Sequence, residues 1–219
     1  MADENLIQQT FDARTAHLAR LGAVDADVMA PLVNPSLQGG PRWPDMRQSW
    51  RIVRRAASTI VVSDGLSDPF SDEDPPTVGY GLEVLAETSD ALAEAVQQTW
   101  VFGLAYHVAQ QCAAHGGVRG LIDELGTVSL ELPRSKWPMP FATPAGVTGV
   151  LLGVPVPPGV ETEWALPAGT IRIVTAKALW PSELDYVVEQ GAVGRAELVR
   201  RFTADGTFHV SSAQRKPVV

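Results

Sequence analysis

The chain has 219 residues, 45% of them hydrophobic and 19% charged, enough to bury a substantial core in one domain or two small ones. Its 25 acidic and 17 basic residues give a formal charge of −8, which argues against any partner bound mainly through phosphate neutralisation, nucleic acid included. The single cysteine, Cys112, rules out an intrachain disulfide and a zinc site built on two cysteines, and it suits a reducing compartment.

The start is acidic and lacks the basic flank and apolar run of a secretory signal. No uninterrupted run of about 18 apolar residues follows, so a soluble, cytoplasmic protein without membrane contact is expected. Leu6, Ile7, Phe11, Leu18 and Leu21 recur at helical spacings ahead of Gly22, predicting an amphipathic helix over 4–21. Prolines and the pair Gly39-Gly40 make 34–44 a long loop. The β-branched groups Ile52-Val53 and Ile60-Val61-Val62 predict one or two strands over 50–63.

Residues 64–77 are rich in turn formers and carry Asp64, Asp68, Asp72, Glu73 and Asp74, which read as an acidic surface loop. A strand is expected over 78–88, with Tyr80, Leu82, Val84 and Ala86 on one face and Gly79, Gly81, Glu83, Leu85 and Glu87 on the other. Ser89 is a candidate cap for the longest helix, 90–115, whose Leu92, Val96, Val101, Leu104, Val108 and Cys112 precede Gly116-Gly117. Strands are expected at 127–132, 147–156 and 170–175, the middle one apolar enough for an interior position, with proline-rich loops at 133–144 and 155–167. Pro181 opens a helix that Gly191 stops, a short helix covers 195–202, and the tail after Asp205 reads as polar and loose. With no regular βαβ repeat and no internal duplication, the pattern predicts one α+β domain: a mixed central sheet flanked by helices.

Catalytic motifs are weak. Gly65-Leu66-Ser67-Asp68-Pro69 lacks the second glycine of a nucleophile elbow and reads as a turn in which Ser67 and Asp68 bond the local backbone. Gly79-Tyr80-Gly81 runs into a strand rather than opening a helix, so it is no phosphate cradle. Of His107, Cys112 and His115, only the last two stand one turn apart, and the acidic segment lacks calcium-loop spacing, so no metal or other cofactor is expected. Glu83 and Glu87 lie about 13 Å apart at ~3.3 Å per residue, too far for paired carboxylate catalysis. Should their face pack beneath the long helix, Glu83 must be hydrogen-bonded or paired. The six tryptophans read as core or loop anchors.

Four pieces occur in an order that resembles the suppressor of fused domain family. They are Ser63-Asp64-Gly65-Leu66-Ser67-Asp68-Pro69 after a strand; Gly79-Tyr80-Gly81-Leu82-Glu83-Val84 leading toward a long helix; Thr143-Pro144-Ala145-Gly146-Val147 opening an apolar strand; and 178–191, with Glu183-Leu184, as a closing helix ended by glycine. The resemblance implies a binding module without catalysis over 49–205, carrying an N-terminal helix and proline-rich loop (1–48) and a polar tail (206–219). Similar animal domains belong to longer proteins that sequester zinc-finger transcription factors with the help of a second, C-terminal domain. This chain is expected to stop before such a domain, so that partner is not carried over. Bacterial members that it resembles are small stand-alone proteins, some of them immunity proteins that neutralise toxins, and the low lysine content, three against fourteen arginines, suits a bacterial coding bias.

The leading expectation is therefore a non-enzymatic, cytoplasmic protein-binding domain, of the immunity type or not, whose acidic surface meets a basic partner. Asp64, Asp68, Asp72, Glu73 and Asp74 would supply the field, with Tyr80, Trp100 and Trp180 as anchors. Gly65, Gly79, Gly81 and Gly146 are assigned to backbone geometry, and Leu66, Ser67, Glu83, Pro144, Glu183 and Leu184 complete the family motif. Two alternatives remain at this level: a small-molecule pocket using Glu83 and His107, and a homo-oligomer subunit. Oligomeric state is left open.

Overall fold

In the computed structural model, which describes residues 4–92 and 95–219, the N-terminal helix forms over Glu4–Leu21 (α1), as its spacing predicts. Its buried stripe is Thr10, Arg14, His17 and Leu18, so the face turned inward is mostly polar. A two-residue strand, Ala23–Val24 (β1), then leads through the proline-rich loop, where Pro35–Gln38 makes one tight helical turn. Strands β2 (Ser49–Arg54) and β3 (Thr59–Asp64) account for both β-branched groups.

β4 covers Leu82–Thr88, shorter than expected because residues 78–81 form a turn. The long helix is also shorter. Helix α2 spans Trp100–His115, not 90–115, and Ser89 does not cap it. The Asp90 carboxylate instead accepts Ser212 Oγ–H and the Ala213 N–H, which pulls the segment toward the far end of the chain. Residues 93–94 of the expected helix lie outside the described residues. Helix α3 (Val118–Leu125), which the spacing did not suggest, precedes β5 (Val128–Leu132) and β6 (Thr148–Leu152). Within the second proline-rich loop lies another unexpected strand, β7 (Glu163–Leu166), and β8 runs over Gly169–Leu179. Helix α4 covers Pro181–Ala204, so the longest helix is here, although Gly191 breaks it at φ 58°, ψ −130° into the two segments that the sequence predicts.

The strands form one sheet in the order β1-β2-β3-β4-β8-β6-β5, with β7 beside β8. Every pairing is antiparallel except β4 with β8. Leu82, Val84 and Ala86 face α2, whose Val101, Leu104, Ala105 and Val108 close the largest core cluster. Each such aliphatic side chain contributes about 1.5–3 kcal/mol by leaving water. The opposite face carries Val53, Ile60, Val62, Leu85 and Ile173 against Leu18 of α1 and Trp164 of β7, while Leu151 and Leu179 meet Leu198 and Phe202 of α4. Glu83 therefore lies on the α1 side, not beneath the long helix.

The C-terminal tail is not loose. Ser211 pairs with Thr88 and its hydroxyl accepts the Ala178 N–H, so the segment seats itself at the end of β4 and β8. His209 meets Glu87 at 2.8 Å, Arg215 and the Val218 N–H bond the Glu183 carboxylate, and Trp180 Nε1–H donates to the Arg215 carbonyl.

Candidate protein-interaction site

The motif residues of the two glycine-containing turns converge on one buried ionic lock. Arg14 of α1 reaches across to donate from Nε to Asp64 (2.7 Å), from a terminal nitrogen to Asp68 (2.7 Å), and from the other to Ser67 Oγ (3.0 Å). Glu83 of β4 closes the group from beneath. Its Oε1 accepts the N–H groups of Gly65 and Ser67 and the Ser67 hydroxyl, and its Oε2 accepts the Ser63 hydroxyl. Arg47 pairs with Asp68 at 3.0 Å, and Arg51 stands 3.7 Å from Asp64. Three guanidinium groups thus meet three carboxylates, and the balance keeps charge tolerable in the interior.

Burial opposes the charge on Arg14, but Asp64, Asp68 and Glu83 together raise its pKa above the ordinary arginine value. Burial pushes Glu83 up against the pull of Arg14. All four donor positions around Glu83 are filled and its side chain is fully buried, so no ligand reaches it. Ser67 is buried as well, and its hydroxyl serves Glu83 and Arg14 rather than the local backbone or a nucleophilic role.

Backbone geometry explains the glycines of this motif. Gly65 sits at φ 147°, where a Cβ would lie 2.3 Å from the Arg47 carbonyl oxygen. Gly79 sits at φ 55°, with the carbonyl oxygens of Asp68 and Leu66 both 2.5 Å from where its Cβ would be. Gly81 and Gly146 share the positive φ, and Leu66 is wholly buried in the core beneath α2.

The acidic segment divides in two. Asp64 and Asp68 are not surface residues: they are 1% and 0% exposed, because α1 covers them and Arg14 neutralises them. Residues 71–76, by contrast, are all exposed, and Asp72, Glu73 and Asp74 stand in water. Arg42 forks onto Asp72 at 2.9 and 3.1 Å and holds its carboxyl below the usual range, and Thr77 donates to Glu73. Tyr80 is half-buried; its hydroxyl donates to the Arg42 carbonyl and its ring meets Phe70 edge-on at 5.3 Å. Loop 34–46 and segment 70–77 are therefore stapled together through Arg42.

Of the other expected anchors, Trp100 is buried against Phe141 (5.1 Å) and offers no free face. Trp180 is half-buried against the same ring at 4.8 Å. Its N–H donates to Glu183 at 2.8 Å, which opens α4, and Leu184 packs beside Gly149 of β6. Pro144 is exposed at the turn that Gly146 closes before β6. These pieces lie at the other end of the sheet from the lock. His107 contacts Ser135 at 3.0 Å, and burial, then Glu83, pushes the Cys112 thiol up to about 12, so it is an inert core residue. Among the described residues, no group of three or more His, Cys, Asp or Glu could hold a metal ion, and no helix is long and apolar enough to cross a membrane.

Sequence spacing missed two features. Arg14, Arg47 and Arg51 were not singled out, although Arg47, just before β2, and Arg51 within it also cover Phe11 at 5.1 and 5.0 Å. The proline-rich loop and its flanks, residues 32–46, also expose Leu32 (105%), Leu37 (70%), Val33 (51%) and Met46 (49%), large apolar side chains in water. A signal was present, since Leu32-Val33 and Leu37 sit among prolines with no periodic partner.

The architecture is similar to that of Drosophila Suppressor of Fused, with a TM-score of 0.61 at 11% sequence identity over 97% of this chain and 51% of that one. It is also similar to a chain of the Sufu-Fu complex, with a TM-score of 0.58 at 15% identity over 97% of this chain and 92% of that one. The chain thus spans about half the length of the Drosophila protein's chain. No protein-family model and no curated protein matches it. At these identities the likeness establishes the fold: the chain has a suppressor of fused-like α+β fold, as the ordered motif pieces imply.

Proposed function

We propose that the protein is a non-enzymatic binding module that captures a basic protein partner. The observation that carries this reading is the acidic tip, Asp72, Glu73 and Asp74, exposed on a segment rooted in the buried lock, where Arg42 pairs with Asp72. Together with the net charge of −8, such a tip speeds encounter with a positively charged surface and disfavours acidic competitors. The fold supports the same reading, since one of the similar structures is that of the Sufu-Fu complex. An immunity-type role, in which the partner is a toxin held inactive, is the form that the resemblance to small bacterial members supports. The free, buried Cys112 suits action in a reducing cytoplasm.

The test begins with capture of the partner from the source lysate at low salt, identified by mass spectrometry. Association with the combined variant Asp72→Asn, Glu73→Gln, Asp74→Asn is then compared with the native chain across ionic strength. Slower association at low salt and a flatter salt dependence are expected. An affinity and salt dependence identical to the native chain's would remove the acidic tip from the interface.

A further inference from the structure

Resting on that reading, we propose that the partner's contact is an amphipathic basic segment, whose apolar side chains seat on Leu32, Val33, Leu37 and Met46 while its Lys or Arg residues meet Asp72, Glu73 and Asp74. The apolar group is the first argument. Most large aliphatic side chains of this chain are buried, yet four within 15 residues stand 49% to 105% exposed on one loop. A concentration of that kind marks a contact surface, whereas singly scattered exposed residues need no explanation.

The loop is also built to hold them outward. Trp43 at its root is wholly buried, and Gln48 donates to Asn34 (3.2 Å) and the Pro41 carbonyl while accepting from Gln110 of α2 (2.7 Å). Asn34 donates to the Met46 carbonyl and accepts the Ser36 N–H at 2.9 Å, which ties the two apolar ends of the loop together. Met46 itself sits at φ 51°, a left-handed conformation that a long side chain rarely adopts. The backbone is thus fixed against local preference while the side chain it presents lies half in water.

Charge names the occupant. Arg42 joins this loop to the acidic tip through Asp72, and the Tyr80 hydroxyl fastens the Arg42 carbonyl, so the loop that carries the apolar group is tied directly to the acidic segment. Along the chain the apolar group is flanked by the exposed Asp27 before it and the half-exposed Asp45 beside Met46, and Arg42 is the exposed cation between Leu37 and Met46. A segment with apolar residues on one side and cations flanking them matches this arrangement; an acidic or purely polar one does not.

The experiment uses the full chain and a short synthetic peptide of leucines and arginines at helical spacing, with a leucine–glutamate peptide of the same pattern as control. Binding is read by fluorescence anisotropy and by methyl chemical shifts of Leu32, Val33, Leu37 and Met46. The expected result is selective binding of the basic peptide, shifts centred on those methyls, and a loss of about tenfold or more in Leu32→Ser, Leu37→Ser. Because both residues are exposed, circular dichroism of this variant should match the native chain. Binding that depends on the carboxylates but survives the leucine substitutions would overturn the apolar seat and leave the acidic-tip reading standing. Equal binding of the two peptides, or none, would overturn both. Self-association in sedimentation, abolished by the same two substitutions, would overturn the proposal in favour of a second copy as the occupant.

Discussion

Two ion pairs separate the halves of the acidic segment. Arg14 meets Asp64 at 2.7 Å with both side chains 2% exposed, whereas Arg42 meets Asp72 at 2.9 Å with side chains 50% and 63% exposed. The distances are nearly the same and the consequences are opposite. In the buried lock, water cannot replace a lost partner, so every charge depends on every other. At the tip, water screens the pair and leaves the carboxylates free to steer a partner. Distance alone therefore says little about what an ion pair does; its burial decides.

The sharpest way to break this contrast is Arg14→Ala, which strands Asp64, Asp68 and Glu83 without their central cation. A loss of about 3–5 kcal/mol in urea unfolding is expected. A loss as small as that of a surface substitution would mean that Arg47 and Arg51 can neutralise the lock unaided.

Lys177 sharpens the comparison, because it is a buried amino group that, among the described residues, no carboxylate meets at ion-pair distance. Its amino group donates to the Val210 carbonyl and sits 4.3 Å from the Phe202 ring, while Glu183 is already bound by Arg215. Burial, then Arg215, pulls its pKa down to about 7. Between that value and the ordinary lysine range near 10, the unfolded chain holds a proton that the folded chain lacks, so stability rises with pH across this window and the gain is lost on returning to pH 7. A rise of roughly 2–4 kcal/mol is expected from this group in urea titrations at successive pH values. Lys177→Met should lack that component, and an identical pH profile in the variant would refute the assignment.

A smaller effect is expected at Gly79, where the turn between the lock and β4 leaves no room for a side chain. Gly79→Ala should cost about 2 kcal/mol in thermal unfolding, because the new Cβ collides with two carbonyl oxygens in a left-handed conformation. The smallest belongs to the tip. The combined Asp72→Asn, Glu73→Gln, Asp74→Asn variant should unfold at the native midpoint, and a clear shift in calorimetry would show that the tip is structural after all.

Local patterns carried much of the fold. The helical spacing over 4–21 and the β-branched groups of β2 and β3 reappear where they were expected, and Gly191 interrupts α4 as predicted. The misplaced elements share a different cause. Residues 90–99 have helical spacing, but Asp90 is claimed by Ser212 and Ala213 more than a hundred residues away. β7 exists because β8 offers it an edge, and the polar tail is ordered because Glu87, Asp90 and Glu183 await it. The candidate site was legible at Asp72, Glu73, Asp74 and Tyr80 but not at Leu32 or Leu37, since exposure is a property of the assembled surface.

By itself the sequence determined the α+β class, the glycine-bearing turns and the negative field, because propensity, steric freedom and net charge belong to residues and their near neighbours. Only the tertiary structure decided which carboxylates are buried and which face water. That outcome depends on Arg14, fifty residues from Asp64 along the chain, and on the desolvation that its helix imposes when it packs against the sheet.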